Sequence, residues 1–298
     1  MRKGILYGIG AYALWGFFPI YWKLLQNVSA LELIGHRIIW SFLLLLVVIL
    51  VTKQWKEFRA TVNLRTFWIY LIASLLIGGN WLMYVWAVNT GHIVETSLGY
   101  FINPLLSVLL GVIVMREKLR WSQWLPIVIA FVGVSYLTLK FGHLPWIALV
   151  LAFSFGFYGL VKKLAPLSSL HGLTLETGIL FLPALAYLGF VEVNGTAAFI
   201  HTGIASGLLM IGAGLVTTVP LLMFASAAKQ IPLSMVGVLQ YLAPTIQFLL
   251  GIFIYKEEFD HVRLIGFSLV WLALLIFWAE NYWASRTPVQ PIPEMGDD

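Results

Sequence analysis

The chain contains no cysteine, and in 298 residues it has only 18 Lys and Arg and 13 Asp and Glu. The missing thiols exclude a disulfide framework, a thiolate metal site and a cysteine nucleophile. A charged fraction of 10% is too low for the surface of an ordinary soluble protein. The sequence also lacks a G-x-S-x-G elbow, an H-E-x-x-H pair, a G-x-x-x-x-G-K loop and any run of carboxylates. It therefore offers no membrane-enzyme chemistry, no metal site, no nucleotide site for an ATP-driven pump and no cofactor site. No stretch between apolar segments exceeds about fifteen residues, which leaves no room for a soluble catalytic or sensory domain.

What the chain has is apolar surface. Sixty per cent of its residues are hydrophobic, with 13 Trp, 12 Tyr and 20 Phe, and its mean hydropathy of +0.91 makes a lipid bilayer its natural solvent. About 20 apolar residues cross a hydrocarbon core of about 30 Å. Ten such spans can be placed, at 4–22, 33–51, 67–88, 93–115, 121–139, 144–161, 173–191, 204–225, 232–255 and 262–279. The first follows Arg2-Lys3, has no small-residue cleavage site and is expected to stay as a helix. Residues 283–298, with Pro288, Pro291 and Pro293 and the acidic end Asp297-Asp298, read as a disordered tail.

An even number of spans puts both termini on one side. On that side fall thirteen basic residues (Arg2, Lys3, Lys53, Lys56, Arg59, Arg65, Arg116, Lys118, Arg120, Lys162, Lys163, Lys229 and Arg286), against four on the other (Lys23, Lys140, Lys256 and Arg263). The bias makes both termini cytoplasmic, and it accounts for the net charge of +5 as a topology signal rather than a nucleic-acid site.

The chain also repeats itself. Shifted by 140 residues, Gly99 to Leu119 lies without a gap on Leu239 to Phe259, pairing Pro104 with Pro244, Gly111 with Gly251, Arg116 with Lys256 and Glu117 with Glu257. Five spans per half is an odd number, so the second copy enters the membrane from the opposite face. The expectation is an all-α membrane protein of two inverted five-helix repeats, 1–140 and 141–282, with a solute site at their interface.

Helix breakers fall in related places. Proline removes an N–H and frees the carbonyl four residues earlier, so Pro19, Pro104, Pro220 and Pro244 predict kinks exposing the carbonyls of Trp15, Tyr100, Val216 and Gln240. Irregular backbone at membrane depth belongs where it is buried in protein or lines a wet cavity. Small-residue packing is the plainer explanation for any single breaker.

Polar groups within the spans are few. Glu32, His36 and Arg37 stand near the outer start of the second span, as an ion pair of Glu32 with Arg37 that closes the outer end or as substrate or gating groups. Glu95 heads the fourth span, either as a carboxylate for proton coupling or as an anion at a helix N-terminus. Lys162 and Lys163 read as cytoplasmic flanking residues, Glu176 as structural, and His171, His201 and His261 as wet interfacial histidines. Trp15, Trp81, Tyr84, Tyr100, Phe157, Tyr158 and Tyr241 lie away from the outermost turns, unlike an interfacial belt. With Asn80, Asn103, Thr217, Thr218 and Gln240 they would line a cavity for an aromatic or amphipathic organic solute. Bulky aromatics also fill gaps between helices.

The strings HRIIWSF from His36, IGGNWL from Ile77, WAVN from Trp86, SLGYFINPL from Ser97, AFSF from Ala152, FYGLV from Phe157 and TTVPLL from Thr217 closely resemble the RarD branch of the EamA-type drug/metabolite transporters. The quoted strings run from the second span to the eighth, and the likeness as a whole runs from the first span to the tenth. The resemblance implies a multi-pass permease of the bacterial inner membrane, with spans 1, 3, 4, 6, 8 and 9 around a central cavity. RarD-like proteins carry an association with chloramphenicol, which fits an aromatic lining. The expected activity is secondary transport of a small organic metabolite or drug-like solute by alternating access. An uncoupled facilitator and a flippase-like partner of an envelope enzyme are the alternatives. A polar, aromatic pocket would favour the solute; an apolar lateral opening would favour lipid. The extra acidic residue Glu258, beside Glu257, and the tail lie outside the resemblance and carry no assigned role.

Overall fold

A computed structural model describes residues 2–90, 92–140, 144–256 and 261–286. Of the expected tail 283–298, residues 283–286 fall in the last helix, which ends at Arg286; residues 287–298, like Glu257 and Glu258, lie outside the described residues. The described chain is helical: α1 (Arg2–Lys23), α2 (Ala30–Val51), α3 (Trp55–Thr61), α4 (Leu64–Asn89), α5 (Ile93–Ile113), α6 (Trp121–Lys140), α7 (Trp146–Leu164), α8 (Ser169–Val193), α9 (Ile204–Gln230), α10 (Leu233–Gln240), α11 (Leu242–Phe253) and α12 (His261–Arg286). Nine segments among the described residues are long and apolar enough to cross a bilayer, with α10 and α11 together making one of them. Helix α12 adds a shorter apolar stretch, Leu264–Phe277, at the place of the expected tenth span. The short α3 was not expected. It joins the second and third spans, carries Lys56, Glu57 and Arg59, and has no buried residue.

Local signals set several boundaries. Asn63 and Thr66 form a reciprocal capping box at the start of α4, and Ser168 accepts from the His171 N–H at the start of α8. The spans are apolar all round, because one face meets protein and the other meets lipid. Residues such as Trp68, Leu75, Leu182 and Leu208 are accordingly exposed in the isolated chain.

The packing maps onto itself when the first five spans are exchanged with the last five. Helix α1 lies on α9 and α11, just as α7 lies on α4 and α5; α2 packs on α8, α5 on α10 and α6 on α12. Five crossings in each half make the halves run in opposite senses. Both copies of the best-matched segment end alike, with Arg116 (φ 54) and Lys256 (φ 56) in the left-handed region. Phe101 and Tyr241 are equivalent under the 140-residue shift, and the Tyr241 hydroxyl donates to the Phe101 carbonyl at 3.3 Å. Equivalent residues in contact mark the axis relating the halves.

At Pro244 the ninth span breaks into α10 and α11 around Tyr241, whereas Pro19, Pro104 and Pro220 sit inside uninterrupted helices. Helix α9 closes on α2 because Gly214 has no side chain: a Cβ there would stand 2.5 Å from the Trp40 Cβ. The Ser41 hydroxyl then reaches the Gly214 carbonyl at 3.1 Å.

Candidate functional site

A cavity of about 210 Å³ lies where the two halves meet. Helix α1 contributes Tyr12, Trp15, Phe18, Pro19 and Trp22; α4 contributes Ile77, Asn80, Trp81 and Tyr84; α5 contributes Gly99, Tyr100 and Asn103. The second half adds Leu151 and Phe155 from α7, Leu221 from α9, Gln240 from α10, and Ala243, Pro244 and Gln247 from α11. These are spans 1, 3, 4, 6, 8 and 9. The second span adds one residue, Arg37.

Arg37 is held on three sides. Its Nε donates to the Thr217 hydroxyl at 2.9 Å, and its guanidinium carbon stands 4.4 Å from the Trp81 ring centroid and 5.0 Å from that of Trp22. A guanidinium is weakly hydrated for a cation and accepts indole faces readily. The expected ion pair with Glu32 is not made. Five residues on a helix is a rotation of about 140°, so the two side chains leave α2 on different faces. Glu32 instead accepts from the backbone N–H groups of Ala198 at 2.7 Å and Phe199 at 3.0 Å, with His36 Nε2 at 3.8 Å. His36 packs on Phe199 and accepts from the Trp40 indole at 3.3 Å.

The amides of the cavity bind the helices together. Asn80 donates to the Leu151 carbonyl at 2.9 Å and to Ser154 Oγ at 2.8 Å, tying α4 to α7. Gln247 donates at 3.1 Å to the Trp15 carbonyl, the acceptor freed by Pro19. The Gln240 amide oxygen is buried with no partner among the described residues. Asn103 is buried, and Tyr84 and Tyr100 pair at 6.1 Å between ring centroids.

Seven of the twelve residues expected to line the cavity are in its wall: Trp15, Asn80, Trp81, Tyr84, Tyr100, Asn103 and Gln240. Thr217 stands behind it, on Arg37, and the neighbouring Thr218 is buried outside the wall with its hydroxyl unpartnered among the described residues. Phe157 is 40% exposed and stacks on Phe153, on a face of α7 away from the cavity. Tyr241 is on the axis between the halves. Of the prolines, Pro19 and Pro244 touch the cavity, and Pro104 and Pro220 do not.

Tyr158 belongs to a separate buried cluster. Its hydroxyl donates to Glu176 Oε2 at 3.0 Å, while Lys162 Nζ lies 2.6 Å from Glu176 Oε1. Lys162 is thus an interior residue rather than a cytoplasmic flank, and Lys163 donates to the Ala228 and Ile231 carbonyls. His171 is also buried, its ring 3.1 Å from the Gln54 amide oxygen. His201 is exposed beside Glu192, and the side chain of His261 lies outside the described residues. Glu95 is buried in the first turn of α5, where it accepts from the Ile147 N–H at 3.2 Å rather than facing the cavity.

Residues 2–139 match the EamA-like transporter family. The chain is 45% identical to a Protein RarD of Streptomyces exfoliatus, over 92% of this chain and 88% of that one. It is a RarD-type member of the EamA family. To Protein RarD of Escherichia coli K12 it is 41% identical, over 96% of this chain and 97% of the other; to an uncharacterized transporter, YojE, of Bacillus subtilis strain 168 it is 45% identical over 93% of each. A solved crystal structure shares its fold with a TM-score of 0.69 at 18% identity, covering 93% of this chain and 98% of that one. The RarD-type chain is therefore a membrane transporter, multi-pass in the bacterial inner membrane.

Proposed function

We propose that this RarD-type protein is a secondary transporter that moves a small organic solute by alternating access, with the cavity between the halves as the solute site. The observation that carries the reading is the composition of the cavity wall. Indoles and phenols supply flat apolar area, while Arg37, Asn80, Asn103, Gln240 and Gln247 add polar groups. Such a wall suits a water-soluble solute with an apolar body better than a lipid chain. The exchange symmetry supplies the motion: rocking of one half against the other about the axis at Phe101 and Tyr241 opens the site to each side in turn.

Reconstitution in liposomes tests this. Labelled organic solutes, chloramphenicol among them, should include at least one that crosses faster than in empty vesicles, with saturable kinetics. A proton gradient imposed in the same vesicles decides between coupled transport and an uncoupled facilitator. If no solute of the panel moves faster than in empty vesicles, the transport reading fails.

A further inference from the structure

Arg37 is the one charged side chain in the described wall of the cavity, and it faces no carboxylate there. The four glutamates buried or held nearest the bundle interior are engaged elsewhere: Glu32 on the Ala198 and Phe199 amides, Glu95 on the Ile147 amide, Glu117 on the Leu233 and Ser234 amides, and Glu176 on Lys162. Thr217 takes only Nε of the guanidinium, and the indoles of Trp22 and Trp81 take its faces. The terminal nitrogens have no acceptor among the described residues. A cation kept in a cavity without a counter-anion is costly, and π faces and a neutral hydroxyl compensate only part of that.

We propose that the cavity selects organic anions, namely solutes with an aromatic or apolar body and one carboxylate that pairs with Arg37. This rests on the cavity being the solute site. With Nε held by Thr217 and the guanidinium carbon held beside two indole rings, the terminal nitrogens are left to pair with a carboxylate, for which a guanidinium has the matching fork of donors. Gln240 is 6% exposed, and its amide oxygen, unpartnered among the described residues, offers a second contact to a donor on the solute. The cation is confined to one half: none of the wall residues that the second half supplies is charged. The described wall is thus charged at one place only, and its solute is an anion with a single charged end.

The test uses the full chain in lipid nanodiscs and matched probes: phenylacetate, 4-phenylbutyrate and indole-3-acetate, each beside its carboxamide, with tryptamine as the cationic counterpart. Binding is read by equilibrium dialysis. At least one acid should bind about tenfold or more tightly than its amide, and tryptamine should not compete. R37Q should erase the preference for acid over amide; R37K should keep part of it. Equal binding of acid and amide, preference for tryptamine, binding of none of the acids, or an R37Q protein that still prefers the acid would each overturn the proposal. If R37Q does not fold, the native protein and R37K still decide it. A neutral solute carried in liposomes with flux unchanged in R37K would leave transport standing and remove the anion; acid binding without flux would do the reverse.

Discussion

Lys162 Nζ lies 2.6 Å from Glu176 Oε1, and both side chains are 1% exposed. The pair bridges α7 and α8 within the second half, the Tyr158 hydroxyl donates to the other carboxylate oxygen, and Ser74 of α4 donates to the Glu176 backbone carbonyl. Removing one member of a buried pair strands the other charge, at a cost of about 3–5 kcal/mol. Glu176→Leu and Lys162→Met should each lower unfolding stability in detergent by an amount in that range. The double variant Lys162→Met/Glu176→Leu should recover most of the loss. A double variant as unstable as the sum of the two would show that the cluster does not act as a pair.

Glu117 joins the halves through the N-terminus of α10. Its carboxylate accepts from the Leu233 N–H at 2.6 Å, the Ser234 N–H at 2.9 Å and the Ser234 hydroxyl at 2.7 Å. Gly111 leaves the space, since a Cβ there would stand 2.6 Å from Glu117 Oε2. Glu117→Ala should cost about 1–2 kcal/mol, as loss of a charged helix cap does. Gly111→Ala should destabilise through the same contact. Unchanged thermal unfolding of both variants would contradict the assignment.

Glu95 holds the start of α7, and a glutamine amide oxygen can accept the Ile147 N–H in its place. Glu95→Gln should therefore leave solute flux, and any response of flux to a pH gradient, within about twofold of the native protein. A gradient response lost with this substitution would return Glu95 to the coupling machinery.

Phe155 and Phe157 give a paired contrast on one helix. Phe155 is in the cavity wall with its ring 5.8 Å from that of Trp15, whereas Phe157 faces outward beside Phe153. Phe155→Ala should weaken solute binding by about tenfold, and Phe157→Ala should leave it unchanged. The opposite order would place the site elsewhere.

That contrast shows what the sequence could and could not reveal. Spans, duplication and the freed carbonyl of Trp15 are readable because they depend on length, register and the missing proline N–H. Rotational phase is not, because a helix with lipid on one side and protein on the other carries no apolar stripe to mark its inward face. Two positions, or about 200° of rotation, separate Phe155 from Phe157, and one position separates Phe157 from Tyr158 in the Glu176 cluster. The direction of Arg37 was hidden for the same reason: Glu32 stood nearby in sequence, while its partners are at Ala198 and Phe199. Gln247 carried a legible signal, an amide within an apolar span three residues after Pro244.

The absence of native cysteine allows the central claim to be tested at single positions. Tyr100→Cys places a lone thiol in the cavity wall, and Phe157→Cys places one on the outer face as a control. A membrane-impermeant thiol reagent is applied to intact cells and, separately, to inside-out vesicles. An alternating site predicts labelling of Tyr100→Cys from both sides, slowed by a transported solute, and little labelling of Phe157→Cys from either. Labelling of Tyr100→Cys from one side only, whatever solute is present, would contradict it.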